Sequence, residues 1–227
     1  MLETPGAPAL GDIGCESTFP FPVRYGVVPR FALERVVDRP DDALLALFIR
    51  AAADLISQGC VGITSTCSFL ARWQRELTLS LTVPVLSSSL LQVPMLQRVL
   101  PHRQRVGIVI HSAIEVDTAT LQAVGADAFV AVECVDPDGC FVSALRDGRS
   151  SDHHARIAAE VIAATRRLVA SHTHIGAVVL ESAGMSPYRD AVEAAVSVPV
   201  FGAAQLISWF YSGLRGSRVV YAHNPWR

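Results

Sequence analysis

Apolar positions along the chain follow two alternating rhythms. Leu44, Leu45, Phe48, Ala52, Leu55 and Ile56 form a stripe at helical spacing, with Pro40-Asp41-Asp42 as a start signal and Gly59 as a stop. The spacing predicts a helix over 41–58. Val106 to Ile110 is an apolar run rich in β-branched residues, the pattern of a parallel strand covered on both faces. Short apolar runs predict further strands at 61–65, 83–86, 128–133, 177–181 and 198–201. Helical patterns predict helices at 68–79, 90–100, 117–124 and 152–171, one starting near Pro187, and one at 205–214. Ile157, Val161, Ile162 and Leu168 mark the buried side of the long helix. The first 30 residues are rich in Gly and Pro and read as irregular. Pro101-His102-Arg103 reads as a connection, Asp136-Pro137-Asp138-Gly139 as a turn, and 221–227 as a tail. Strands alternating with helices predict a parallel α/β architecture.

One passage occurs twice. Gly62-Ile63-Thr64-Ser65-Thr66-Cys67-Ser68-Phe69 leads to Val83-Pro84-Val85, and Ala177-Val178-Val179-Leu180-Glu181-Ser182-Ala183-Gly184 leads to Val198-Pro199-Val200. The offset is 115 residues from Val83 to Val198 and again from Cys67 to Ser182. The duplication predicts two pseudo-symmetric lobes, each a parallel sheet flanked by helices. Their expected extents are 1–98 plus 203–227 for the first and 104–200 for the second. Ligands in such sheets bind beyond the carboxyl ends of the strands. Facing halves would therefore place the active site in the cleft between them, with Cys67 and Ser182 on opposite sides.

Composition narrows the partners. The 227-residue chain is 51% hydrophobic and 18% charged, ordinary for a globular protein. A net charge of −2, with no basic cluster, points away from nucleic acid and membrane surfaces and towards a small molecule. Five scattered cysteines are no disulfide framework, 1–10 does not read as a leader, and no apolar run is long enough for a bilayer. A cytoplasmic protein is expected. The apolar Trp209, Phe210 and Tyr211 offer a face for a homo-oligomer contact.

Cys67 is the main chemical candidate. A free thiol has a pKa of ~8.5, and a helix N-terminus favours its thiolate. Thr64, Ser65, Thr66 and Ser68 are hydroxyl donors that, with exposed N–H groups, would hold a substrate carboxylate. Ser182 is a far weaker acid, suited to a substrate contact or a weak partner role. The plainer readings are a small buried hydrophobe for Cys67 and a helix cap for Ser182. His111 ends the 106–110 strand, Asp12 would orient a group from the N-terminal loop, and Tyr188 would close the pocket; each also has an ordinary structural reading. Strand alternation turns Glu181 to the other face. His153 and His154 do not converge on one ion, and Cys134 and Cys140 lack the close pairs of a zinc site. No metal is expected. Without a phosphate loop or a Gly-x-Gly-x-x-Gly stretch, no nucleotide cofactor is expected either.

The segment from Gly62 to Leu70, together with Leu180-Glu181-Ser182-Ala183-Gly184-Met185-Ser186-Pro187-Tyr188, resembles the aspartate/glutamate racemase superfamily. That superfamily includes hydantoin racemases, maleate isomerases and arylmalonate decarboxylases. Gly11-Asp12-Ile13-Gly14 and Phe19-Pro20-Phe21-Pro22-Val23 are similar to a branch of it, and the resemblance covers nearly the whole chain. It implies a cofactor-independent enzyme in which one cysteine takes the proton α to a carboxylate and a second delivers a proton to the other face. Cys67 matches the first cysteine. Ser182, Ala183 and Gly184 stand where the superfamily carries cysteine, threonine, and asparagine or aspartate, so Ala183 and Gly184 would line the pocket for a less polar substrate arm.

The expected activity is that of a racemase or isomerase acting at the carbon α to a carboxylate or carbonyl, with Cys67 as acid or base. The expected substrate is a small carboxylate or cyclic amide. A one-thiol decarboxylase or lyase of the arylmalonate decarboxylase type, a cis–trans isomerase like maleate isomerase, and a non-catalytic binder are the alternatives.

Overall fold

A computed structural model describes residues 8–29, 42–112, 116–127, 130–147 and 153–214. Asp41, Ala128, Phe129, Asp152 and the 221–227 tail lie outside the described residues. Helix α1 (Asp42–Ser57) ends at Gly59, whose φ of +90° suits glycine. Then follow β1 (Ile63–Thr64), a 3₁₀ turn (Ser68–Trp73), α2 (Gln74–Ser80), β2 (Val85–Leu86), a second 3₁₀ turn (Ser89–Leu91) and α3 (Gln92–Val99). The chain continues through β3 (Arg105–Ile110), α4 (Thr118–Ala123), β4 (Ala131–Cys134), α5 (Cys140–Asp147) and α6 (His154–Ser171). It closes with β5 (Ile175–Leu180), a 3₁₀ turn (Ala183–Tyr188), α7 (Arg189–Ala195), β6 (Val200–Phe201) and α8 (Ala203–Leu214).

All strand pairs are parallel. One sheet is β1-β2 and the other runs β4-β3-β5-β6. Side-chain alternation sorts the larger sheet into two cores. Val109, Val178 and Leu180 pack with Ile157, Val161, Ala164 and Leu168 of α6. Val106, Ile108, Ile110 and Val179 pack on the opposite face with Leu90, Val93, Leu96 and Leu121. Among the described residues no helix is long and apolar enough to cross a membrane.

The sequence repeat is a structural repeat at the same 115-residue offset. Ile63 pairs with Val85 and Val178 with Val200; Thr64 pairs with Leu86 and Val179 with Phe201. The turn Ser68–Trp73 and α2 map residue for residue onto Ala183–Tyr188 and α7. Equivalent hydrogen bonds recur. Gln74 Nε2 donates to the Val85 carbonyl at 3.0 Å and Arg189 Nε to that of Val200 at 2.9 Å. The Cys67 carbonyl accepts from Leu70 N–H, and that of Ser182 from Met185 N–H.

Three expectations need correction. The 61–65 strand is only two residues long: Ile63 and Thr64 alone pair, Thr64 is exposed and Val61 is 52% exposed. Within its sheet β1 has β2 alone as partner, whereas β5 is sandwiched between β3 and β6. The 68–79 helix begins as a 3₁₀ turn and becomes α-helical only at Gln74. Helix α5 was not foreseen. Its first N–H groups, from Cys140 and Phe141, donate to the Glu160 carboxylate at 2.6 and 2.7 Å. A side chain twenty residues away thus supplies the cap, and the local sequence carries no signal of it.

The serine cluster after β2 stitches the halves together. Ser88 Oγ accepts from Leu90 N–H and donates to Glu181 Oε1 at 3.3 Å. Ser89 Oγ lies 3.2 and 2.9 Å from the carbonyls of Leu180 and Glu181, and Gln92 Nε2 donates to the carbonyls of Ser89 and Gly202. Ser89 is 3% exposed, so water cannot replace its hydroxyl. Ser89→Ala should cost about 1–2 kcal/mol in urea unfolding. Ser80→Ala, at an exposed site, should stay within about 0.5 kcal/mol.

Candidate functional site

Cys67 precedes the first 3₁₀ turn in extended conformation (φ −106°, ψ 108°), and Ser182 precedes the repeat-equivalent turn in a similar one (φ −69°, ψ 127°). Neither side chain caps its turn. The Cys67 N–H is not open to a ligand, because it donates to Ser65 Oγ at 2.8 Å. Its sulfur lies 3.8 Å from Thr66 Oγ1. Cys67 is 7% exposed and packs with Val28, Leu44, Phe48, Phe69 and Leu70. The thiol therefore sits on the first-half core with a hydroxyl beside it, rather than in an open, hydroxyl-lined groove.

The hydroxyls preceding it do face open space. Thr64, Ser65 and Thr66 line a cavity of about 280 Å³. Its remaining walls come from Ile13, Phe19 and residues 21–26, from Leu55 and residues 59–63, and from Ile207, Phe210, Tyr211 and Leu214 of α8. Phe21 stacks on Tyr211 with ring centroids 3.8 Å apart, and Phe19 tilts against Phe21 at 5.1 Å. Cys67 and Ser182 are not among the lining residues. Ser182 is 5% exposed, and Ala183 beside it packs against Ile13, Phe19, Ala203 and Ile207. Ile13, Phe19 and Ile207 thus touch both the second motif and the cavity that Thr64–Thr66 open onto.

The other predicted residues are dispersed around this centre. Ser68 opens the 3₁₀ turn after Cys67 and is half-buried. Asp12 is buried in the N-terminal loop, where its Oδ1 accepts from Gly14 N–H at 2.9 Å. That loop reaches the second motif at Gly11, whose φ is +89° and where a Cβ would lie 3.1 Å from Pro187 Cα. Gly184 is buried in the Ala183–Tyr188 turn. Tyr188 ends that turn, is 5% exposed, and bonds His154 Nδ1 through its hydroxyl at 2.9 Å. His111 follows β3 and leans towards Phe141, with centroids 6.2 Å apart. Among the described residues no group of three or more His, Cys, Asp and Glu stands together as a metal site would require.

Known proteins are similar to this chain in sequence and in architecture. No family model matches the chain. It is 30% identical over 220 residues to dimethylsulfoniopropionate lyase 7 of Emiliania huxleyi, and 26% identical over 216 residues to a dimethylsulfoniopropionate lyase of Durusdinium sp. clade D. Each match takes in 91% of this chain, but the chain spans only 63% and 70% of those two relatives. Among solved structures, a cysteine-for-glycine variant of arylmalonate decarboxylase in a sulfate-associated form matches with a TM-score of 0.56 at 16% identity, over 79% of this chain and 78% of that one. A Yersinia pestis protein assigned as an Asp/Glu racemase matches with a TM-score of 0.51 at 13% identity, over 85% and 84%. The chain shares the fold of arylmalonate decarboxylase. Parallel sheets flanked by helices in two lobes are thus the architecture, as expected. A liganded arylmalonate decarboxylase variant (TM-score 0.53, 18% identity, 78% and 76% coverage) has cysteine in place of a glycine and serine in place of a cysteine.

Several cavity residues were missed from the sequence: Arg24, Tyr25, Cys60, Phe210 and Tyr211. The Phe-Pro-Phe-Pro stretch was the available signal, since alternating prolines hold both Phe19 and Phe21 on one rigid arm. Tyr25 Oη donates to the Ile13 carbonyl at 3.0 Å. Burial, followed by the nearby Cys15, Glu16 and Asp12, pushes its pKa up to about 12. An unfolded chain releases this proton near pH 10, so the folded state binds it more tightly. The resulting stability is complete below about pH 10 and declines as pH rises towards about 12. Urea midpoints should fall over that range in the unaltered protein and fall less in Tyr25→Phe.

Proposed function

We propose that the chain is a cofactor-independent lyase that takes the proton α to the carboxylate of a small molecule, with Cys67 as the base and a β-sulfonio carboxylate such as dimethylsulfoniopropionate as substrate. The asymmetry between the repeated halves is the observation that carries this reading. The first half has Thr64, Ser65, Thr66, Cys67, Ser87, Ser88 and Ser89, where the second has Val179, Leu180, Glu181, Ser182, Gly202, Ala203 and Ala204. Thr64, Ser65 and Thr66 meet a cavity, while Val179, Leu180 and Glu181 are 0–3% exposed. Racemisation needs an effective proton carrier on both faces of one carbon, and Ser182 is a poor one. Elimination needs a base on one face only.

The step balances without a further reactant. Cys67 sulfur, as thiolate, takes the α-proton, and the C–H electron pair becomes the new C=C bond. The bond from the β-carbon to the sulfonium sulfur breaks, and its electron pair leaves on sulfur. The products are neutral dimethyl sulfide and an α,β-unsaturated carboxylate, and the proton passes from Cys67 to water. The hydroxyls of Thr64 and Thr66 would stabilise charge that builds on the carboxylate during proton removal. Phe19, Phe21, Phe210 and Tyr211 give the cavity an aromatic wall suited to an onium group. Ser182 would contact substrate or relay through water, and Asp12, Ser65, Ser68, His111, Ala183, Gly184 and Tyr188 would shape the site around it. The lobe division, 1–98 plus 203–227 against 104–200, belongs to the same reading. It is supported by Phe210 and Leu214 of α8, which crowd Gly62 of the first half.

The names of the sequence relatives favour elimination over the isomerase alternative. Headspace detection of dimethyl sulfide tests it. Cys67→Ala should lose at least ~10²-fold in rate, with its thermal unfolding unchanged within a few degrees, and Ser182→Ala should lose no more than about tenfold. Sulfide release by Cys67→Ala at the original rate would reject Cys67 as the base. An unaltered enzyme that exchanges α-protons in deuterated water but forms no sulfide would restore the isomerase assignment.

A further inference from the structure

The cavity contains one feature that neither the sequence reading nor the proposed reaction uses. Arg24 is the one charged side chain among the described residues lining it. Everything else on the wall is apolar or neutral: the aromatic rings, Cys60, Tyr25, and the hydroxyls of Thr64, Ser65 and Thr66. Among the described residues no carboxylate pairs with Arg24. Its one hydrogen bond is from Nη1 to the neutral Gln58 Oε1 at a long 3.4 Å, which leaves most of its five N–H donors available. The nearby acids Asp12 and Glu16 act on Tyr25 without lining the cavity, and Asp12 is engaged by Gly14 N–H.

We infer that Arg24 anchors the carboxylate of a small monocarboxylate whose compact body lies along Phe19, Phe21 and Tyr211. A guanidinium binds a carboxylate by two parallel, charge-assisted N–H···O bonds, a geometry a neutral amide cannot match. The aromatic wall supplies contact area and no competing charge. Arg24 acts here as a positioning residue. The inference rests on the cavity alone, so it stands or falls separately from the role of Cys67.

Binding to the full chain can be followed by NMR titration with 3-(methylthio)propionate and with its neutral amide. The carboxylate should bind the unaltered protein at least tenfold more tightly than the amide. Arg24→Gln should weaken carboxylate binding roughly tenfold or more and leave amide binding unchanged, with Arg24→Lys in between. Arg24 is exposed, so its replacement should leave thermal unfolding unaltered. Equal affinity for the two ligands, equal weakening of both in Arg24→Gln, or no binding of either would overturn the inference. Cys67→Ala should bind the carboxylate as the unaltered protein does; a Cys67 variant that binds normally but still releases sulfide would sink only the proposed reaction.

Discussion

Ser89 places its hydroxyl between the main-chain carbonyls of Leu180 and Glu181 and, with the apolar core shared by Leu90, Val93, Ile108 and Val179, ties the two halves together. The bond joins the end of β2 to the end of β5 across the repeat. It lies in a region with almost no water, where an unpaired carbonyl is costly. Ser88 and Gln92 add parallel ties to Glu181 and Gly202. Both sequence motifs follow directly from strands held by this seam.

The repeat preserves backbone geometry and discards chemistry. Strand register, 3₁₀ turn and helix recur at one fixed offset, down to equivalent hydrogen bonds from Gln74 and Arg189. Side chains at those positions diverge. The second half has apolar residues at most positions where the first has hydroxyls, and it is sealed by β3, which runs along β5. The first half keeps the thiol, the hydroxyls and the cavity. The two halves thus share a backbone and differ in side-chain chemistry, which is the asymmetry the proposed reaction uses.

Strands β3 and β5 were legible in the sequence because both of their faces are buried, so every position obeys one rule. The repeat was legible because Val-Pro-Val and the residues around Cys67 and Ser182 recur at equal spacing. Strand β1 was drawn too long, since pairing depends on a partner strand as much as on its own residues. Helix α5 was hidden because its cap, Glu160, belongs to another helix. The cavity was hidden for a related reason: its walls come from three segments that only the tertiary fold assembles. Arg24 looks like any surface arginine until the fold sets it beside those walls. The packing of Cys67 also escaped the sequence, where polar neighbours suggested a polar setting. Its partners Val28, Leu44 and Phe48 come from distant positions.

The idea that proton chemistry happens on one face can be tested by stereochemistry. Dimethylsulfoniopropionate carrying deuterium at a single α position of known configuration would be turned over and the unsaturated product analysed by mass. One configuration should lose its deuterium completely and the other should keep it completely, because a single base approaching from one side reaches only one of the two hydrogens. Loss of deuterium to a similar extent from both configurations would contradict the account.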